Sequence, residues 1–393
     1  MQKKIRVAIM ADEFDRRPER TLLPRRLIEK LLEDKSVELT LVHSKRMPDE
    51  PLYQKAREIL LPRTELPWAT RFISFIRFCL TTKERFDIVH WFVPRPFPFF
   101  WLFPATHTVV MAHGGGDVLN SGTWTLGRLI FNYTLKWFHK YIFAVIAVSD
   151  YGNREIIYAY GIPPWKVHTI YNPVDPIYLA PVNEDFGLRV RHEYGIQDVQ
   201  YFFSVSRFRL HKNIGRILEA YVEYRSENPN AVEHLVLGGG SVQEFEKVYG
   251  KLPDSPYVKD IHFLGYIPTD HMPALYRGAH AYVFISLNEG FGMPVIEAFA
   301  CGVPVITAST TSLPEVAGDA AIIVDPHDPH ALAEAFRFVG NPGTKAELVR
   351  RGFARSRFFT WEKTYARTLG LFRELIDKKR SVALTPVNEA AIS

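Results

Sequence analysis

Cysteine is almost absent from this chain. The two residues, Cys79 and Cys301, lie far apart and share no metal-ligand spacing. That argues against a disulfide framework and fits a reducing cytosol, so the expected location is cytoplasmic. Cys301 falls in an apolar run, where buried packing is its expected role. Long hydrophobic runs are missing too. No stretch reaches the ~18 apolar residues needed to span a bilayer. In the opening segment Arg6 interrupts the apolar residues and Asp12 ends them. It therefore reads as a first buried strand rather than a signal peptide. No Cys/His zinc pattern, RNA-binding signature or Asp-x-Asp metal motif occurs, nor any internal repeat or low-complexity tract. Nucleic acid is not an expected partner, and no metal is expected.

What is present is an ordinary globular balance. The 393 residues allow two or three domains with ample core. Hydrophobic residues make up 47% and charged residues 23%, which separates the chain from disordered ones. The formal net charge of +5 is a mild excess, able to attract anionic lipid or phosphorylated ligands.

Strand-like and helix-like segments alternate throughout, which argues for an α/β fold of parallel sheets covered by helices. Strands are expected at 5–10, 38–42, 87–91, 108–112, 144–148 and 167–170 in the first half. In the second half they are expected at 201–206, 234–237, 261–264, 281–285, 304–307 and 321–324. Helices are expected at 21–33, 68–80, 125–138, 151–160, 214–224, 294–300, 329–339 and 345–358. The expected organisation is a Rossmann-like domain over 1–178, a linker with a short helix over 179–198 and a second Rossmann-like domain over 199–360. A helix over 361–380 and a tail over 381–393 follow. Two doubly wound sheets bind ligands at the carboxyl ends of their strands. If those ends face each other, the site is a central cleft.

The most informative run begins Glu289-Gly290-Phe291-Gly292-Met293-Pro294 and reaches Glu297 in an apolar helix. Pro294 suits the first helical turn, where its missing N–H costs nothing. The N–H groups of Gly290, Phe291 and Gly292 then face the open end of a strand, a setting that favours an anion. Eight positions are a little over two helical turns, so Glu289 and Glu297 can reach two parts of one elongated ligand. The competing reading makes Glu289 a helix cap and Glu297 a solvated helical residue. A second segment, Ser204 to Asn213, ends a strand and supplies two cations, Arg207 and Lys212. Arg grips phosphate oxygens in a fork and Lys adds a compact charge. Asn213 is placed to cap the following helix. His113 opens a glycine-rich turn after the strand at 108–112, suited to a ligand contact or simply to an exposed loop.

The run from Glu289 to Ile306 resembles the donor-site signature of retaining glycosyltransferases of family 4, which have the GT-B fold. The resemblance extends from about Asp87 to Leu375 and is most specific from Ser204 to Gly318. It implies that Glu289 holds the transferred sugar and Glu297 the ribose of a nucleoside-diphosphate sugar. It implies that Arg207 and Lys212 bind the diphosphate, with Ser206 where the family usually has glycine. His113 matches a histidine placed beside the donor sugar, and Tyr266 lies where family members contact the nucleobase. The expected catalytic set is therefore His113, Arg207, Lys212 and Glu289. The expected donor-binding set is Gly290, Phe291, Gly292, Glu297 and Tyr266. No cofactor beyond the donor is implied, and charge on the diphosphate is expected to be met by Arg207, Lys212 and helix amides. The resemblance implies hexose transfer with retention to a glycan or lipid-linked acceptor in cell-envelope polysaccharide synthesis. Rival readings are another GT-B sugar-nucleotide enzyme such as an epimerase, or a basic binding protein for anionic polymers or membranes. One departure stands out: residues 12–20 contain no glycine, where family members often carry a pair. The cations Arg16, Arg17 and Arg20 there suit an anionic acceptor or a solvated loop.

Aromatic residues are dense between Trp91 and Phe103. They fit core packing, a sugar-stacking surface or peripheral docking on the cytoplasmic face of a membrane. Thr70, Ser74 and Arg77 are expected to form the polar face of a mostly buried helix.

Overall fold

The computed structural model describes residues 4–11, 22–43, 51–61, 70–92, 99–114 and 135–384. The arginine-rich loop at 12–20, most of the expected helix at 125–138 and residues 93–98 of the aromatic stretch lie outside them. The chain divides into two units, Met1–Tyr171 with Glu362–Ser393, and Asn172–Trp361.

Among the described residues the first unit holds seven parallel strands: β1 (Ile5–Met10), β2 (Val37–His43), β3 (Arg57–Leu60), β4 (Phe86–Trp91), β5 (Ala105–Ala112), β6 (Ala144–Ala147) and β7 (Val167–Thr169). Their order is β3-β2-β1-β4-β5-β6-β7. The central strands are continuous apolar runs because helices cover both faces. Val7 sits opposite both Leu39 and Ile88, and all three are buried. The edge strand β3 was not expected. Arg57-Glu58-Ile59-Leu60 lies at the sheet margin and shows no buried alternation to read.

Helix Thr70–Thr81 departs from its expected facing. Ser74 is fully buried, whereas Ile73 and Leu80 are exposed. The helix turns Phe75 into the core against Trp91 and Phe103, which carries Ser74 inward beside it.

The C-terminal helix Trp361–Leu384 clusters with the first unit from Glu362 onward. Phe372 is fully buried and its ring lies 5.8 Å from that of His90. Tyr365 donates to Asp34 at 2.6 Å, and Thr364 donates to the carbonyl of Tyr171 at 2.8 Å. Residues 381–384, expected in the tail, continue the helix. Ala383 and Leu384 are strong helix formers, so the backbone ladder outlasts the apolar stripe.

The second unit holds β8 (Tyr201–Val205), β9 (His234–Gly238), β10 (Ile261–Gly265), β11 (Ala281–Phe284), β12 (Val305–Ala308) and β13 (Ala321–Val324). Their order is β10-β9-β8-β11-β12-β13, again all parallel. The strand order reverses between β8 and β11. That reversal opens a crevice at the carboxyl ends of the two strands.

The expected linker at 179–198 is a built part of the second unit. Helices Pro176–Leu179 and Glu184–Glu193 are capped by Asp175 and Asn183, whose side chains accept from Ile177 N–H at 3.0 Å and Phe186 N–H at 3.2 Å. Tyr178, Val190 and Ile196 are buried. The polar surface residues hide this sparse apolar set from a composition reading.

Phe372→Ala should cost about 3–5 kcal/mol, because it empties a fully buried aromatic position. Denaturant unfolding followed by fluorescence and circular dichroism checks this. A loss below about 1 kcal/mol would mean that the helix contributes little to the first unit.

Candidate functional site

The reversal between β8 and β11 brings two loops together. Lys212, after β8, donates to the Glu289 carboxylate, after β11, at 2.5 Å. Both side chains are mostly buried, and the Lys212 ammonium also lies 5.3 Å from the centre of the Phe284 ring. A lysine and a glutamate that sequence analysis assigns to different parts of one ligand are thus partners here.

Backbone geometry fixes the lysine. Leu210–Lys212 forms one tight helical turn, and Asn213 follows in the left-handed region with φ 60°. Asparagine tolerates that region better than most residues. Its side chain does not cap helix Ile214–Glu227, contrary to expectation. The left-handed backbone instead lets the amide reach across the strand ends. Nδ2 donates to the carbonyls of Pro326 at 2.7 Å and Ile285 at 3.3 Å. Asn213 therefore ties the loops after β11 and β13 to the start of its own helix.

Hydroxyl groups fix the glutamate. Thr311 Oγ1 accepts from the Glu289 N–H at 3.2 Å. The buried Ser312 hydroxyl lies 2.9 Å from the carbonyls of both Glu289 and Phe291. Ser286 Oγ donates to the His211 carbonyl at 2.8 Å, and Thr310 donates to the Ser286 carbonyl at 3.1 Å. Gly292 has φ 106°, and a Cβ there would lie 2.7 Å from Leu313 Cδ2. The Phe291 ring is buried edge-on against Phe359, with ring centres 5.5 Å apart. Any ligand contact from Phe291 must come from its backbone.

Glu297 stands in helix Met293–Ala300, with Pro294 in the first turn. It is not a solvated helical residue. Its carboxylate accepts from the Tyr276 hydroxyl at 3.1 Å and from the Tyr178 hydroxyl. Burial pushes its pKa from 4.5 up to about 7; the two tyrosine bonds oppose that rise and Asp175 adds to it. The tyrosine rings meet edge to face, 5.8 Å apart. Neither tyrosine was foreseen, since each is remote in sequence from the glutamate.

The remaining residues sit at strand ends. Arg207 is exposed just past β8. Tyr266 is 79% exposed just past β10. Between them β9 runs into Gly238-Gly239-Gly240. Gly239 has φ 95°, and a Cβ there would run into the Ser206 carbonyl. The glycines let this loop lie against the Arg207 segment. Three consecutive glycines after a strand were a visible signal that sequence analysis passed over. His113 follows β5 and is exposed in the first unit.

Comparison with known proteins gives consistent results. The Glycosyltransferase Family 4 model matches residues 12–177, and the model for glycosyl transferases group 1 matches residues 189–350. The O-antigen chain mannosyltransferase B of Escherichia coli is 30% identical over 236 residues, covering 59% of this chain and 60% of that protein. A D-inositol 3-phosphate glycosyltransferase of Acidothermus cellulolyticus is 27% identical over 239 residues, covering 58% and 53%. The chain thus spans little more than half the length of these relatives. Among solved structures, Anabaena Alr3699/HepE in complex with UDP and glucose superposes with TM-score 0.71 at 15% identity, covering 94% of this chain and 100% of that one. A glycosyltransferase from Rickettsia africae gives TM-score 0.71 at 15% identity, covering 96% and 99%. The two matched regions follow one another along the chain, and the fold agrees. The chain belongs to the family 4 glycosyltransferases, carries their group 1 domain and has the GT-B fold.

Proposed function

We propose that this protein is a retaining hexosyltransferase, moving a sugar from a nucleoside-diphosphate donor to a hydroxyl of a glycan or lipid-linked acceptor in cell-envelope polysaccharide synthesis. The observation that carries this reading is the Lys212–Glu289 pair at the switch point of the second sheet. Names of relatives support the substrate class. The Escherichia coli relative is named for mannose transfer in O-antigen chains, and the HepE complexes hold UDP, with glucose or as UDP-glucose.

In this reading the donor divides the ion pair. Lys212 turns to the diphosphate and Glu289 accepts from sugar hydroxyls. Arg207 adds the second cation. As the bond between the anomeric carbon and the diphosphate oxygen breaks, negative charge grows on the leaving oxygen. Fixed cations stabilise it without reorganising. The acceptor oxygen bonds to the anomeric carbon on the same face, and its proton passes to the leaving phosphate. Glu297 receives the ribose hydroxyls, the backbone of Gly290, Phe291 and Gly292 approaches the donor, and Tyr266 flanks the base. The family resemblance gives His113 a hydrogen bond to a sugar hydroxyl.

Arg207→Ala and Lys212→Ala should each lose roughly a hundredfold or more in turnover, about 2–4 kcal/mol of transition-state stabilisation. Their stabilities should differ. Arg207 is exposed, so its loss should leave the melting temperature unchanged. Lys212→Ala strands a mostly buried Glu289 and should cost a further 1–3 kcal/mol or about that in folding. Steady-state kinetics beside thermal unfolding tests both; near-normal turnover in the two variants would remove the leaving-group role.

The two glutamates should separate by ligand. Glu297→Gln should weaken both free nucleoside diphosphate and intact donor, whereas Glu289→Gln should weaken only the donor. Calorimetry with UDP-, GDP- and ADP-sugars and their nucleoside diphosphates checks this, and equal losses throughout would contradict the division.

Glu297 also sets a pH dependence. Its folded pKa of about 7 lies above the ordinary 4.5, so the folded chain holds this proton more tightly than the unfolded chain. That contribution is complete below about pH 4.5 and is lost as pH rises through about 7. Glu297→Gln should therefore flatten the fall in stability across this window. Thermal melts at pH 5 and 8 should show the variant gaining on the parent at the higher pH. Parallel curves would mean that Glu297 titrates normally.

A further inference from the structure

We propose that the amino-terminal edge of the first sheet, at β5 to β7, is a docking surface for an anionic lipid membrane. Three one-turn helical segments enter these neighbouring strands: Phe100–Leu102 before β5, His139–Tyr141 before β6 and Pro164–Lys166 before β7. Side-chain contacts join them into one patch. The Trp101 ring stacks on Phe138 at 4.4 Å and on Tyr141 at 5.2 Å between centres. Lys166 donates to the carbonyls of Ile142 at 2.7 Å and His139 at 3.1 Å, which ties the third turn to the second.

The patch spends its large apolar groups on solvent. Trp165 is 76% exposed, Trp137 64% and Phe143 46%, with Leu102 and Tyr141 also exposed. Single exposed apolar residues are ordinary, but contiguous aromatic ones mark an interaction surface. Composition selects the partner. Residues 99–114, 135–149 and 161–170 contain no Asp or Glu. Lys136 and Lys140 are exposed within the patch, and the Lys140 ammonium lies 5.0 Å from the Tyr141 ring centre. Tryptophan and tyrosine prefer the headgroup level of a bilayer, and lysine is drawn to anionic headgroups. No described helix is long and apolar enough to cross a membrane, so the contact is peripheral. The patch lies at the end of the sheet opposite the carboxyl edge. β5 has eight residues, so His113 stands roughly 26 Å along the strand from it. Docking there goes beyond the transfer reading and does not rest on it.

The test is co-sedimentation of the full chain with phosphatidylglycerol-containing and with pure phosphatidylcholine vesicles over a salt series. The parent should pellet with the anionic vesicles and be released by salt. Lys136→Gln with Lys140→Gln should weaken binding roughly fivefold per lysine, about thirtyfold together. Trp137→Ser should reduce quenching of tryptophan fluorescence by brominated lipid, with melting temperature measured alongside; the lysine variant carries the test if the tryptophan variant is unstable. Failure to pellet with anionic vesicles at low salt would overturn the proposal, as would binding that the lysine changes leave intact. A parent that is dimeric by light scattering and made monomeric by Trp137→Ser would also overturn it, since the patch would then be a contact between copies. Sugar-nucleotide hydrolysis by the lysine variant, expected to equal the parent's, separates failure of docking from failure of the transferase reading.

Discussion

A single ion pair, Lys212 with Glu289, sits where the strand order of the second sheet reverses. Neighbouring parallel strands elsewhere in the sheet send their connections to one side, but β8 and β11 send theirs apart. The crevice between them is where polar side chains from two loops can meet without displacing core. Lone buried charges are expensive, so each partner makes the other tolerable there. The same constraint explains the surrounding hydrogen bonds. Asn213 holds the lysine side, Thr311 and Ser312 hold the glutamate side, and Ser286 ties the two loops through the His211 carbonyl. The pair is positioned by backbone carbonyls and amides rather than by side chains alone. That is the preorganisation a charge-separating reaction needs.

The central parallel strands were legible because both of their faces are buried, and the edge strand β13 because it is a short apolar run. β1 and β13 fall on their expected residues, and most other strands differ only at their ends. The glutamate run was legible because it joins a glycine turn, a proline in the first helical turn and an apolar helix in consecutive residues. β3 was not, since a short edge strand needs little apolar surface. The expected linker contains helix, as its reading implies, but a few buried side chains, Tyr178 above all, fix it to the second unit among many polar ones.

Long-range polar contacts were the least legible part of the site. Ser309-Thr310-Thr311-Ser312 is four hydroxyl residues in a row directly after β12, yet sequence does not say which backbone groups the last three reach. Their partners lie 21 to 24 positions away. Asn213 shows the same limit. Its type fits a cap, but its left-handed backbone, which sequence alone does not reveal, turns the amide to Pro326 and Ile285.

Glu297 shows how the second unit prepares a carboxylate without a cation. The neighbours that shift it are Tyr276, Tyr178 and Asp175, and burial outweighs the two hydroxyl bonds. A carboxylate paired with lysine, like Glu289, has its acceptor capacity occupied by a cation. One paired with tyrosines keeps acceptor capacity for hydroxyl groups, because each tyrosine uses one lone-pair site of about four. The two glutamates of one run are thus suited to different partners. In the proposed function Glu289 exchanges its lysine when a second anion arrives to take the cation. Glu297 can add neutral hydroxyls without giving up what already holds it. That difference follows from which strand end or helix each side chain meets, and it is the physical basis for assigning them to different parts of a ligand.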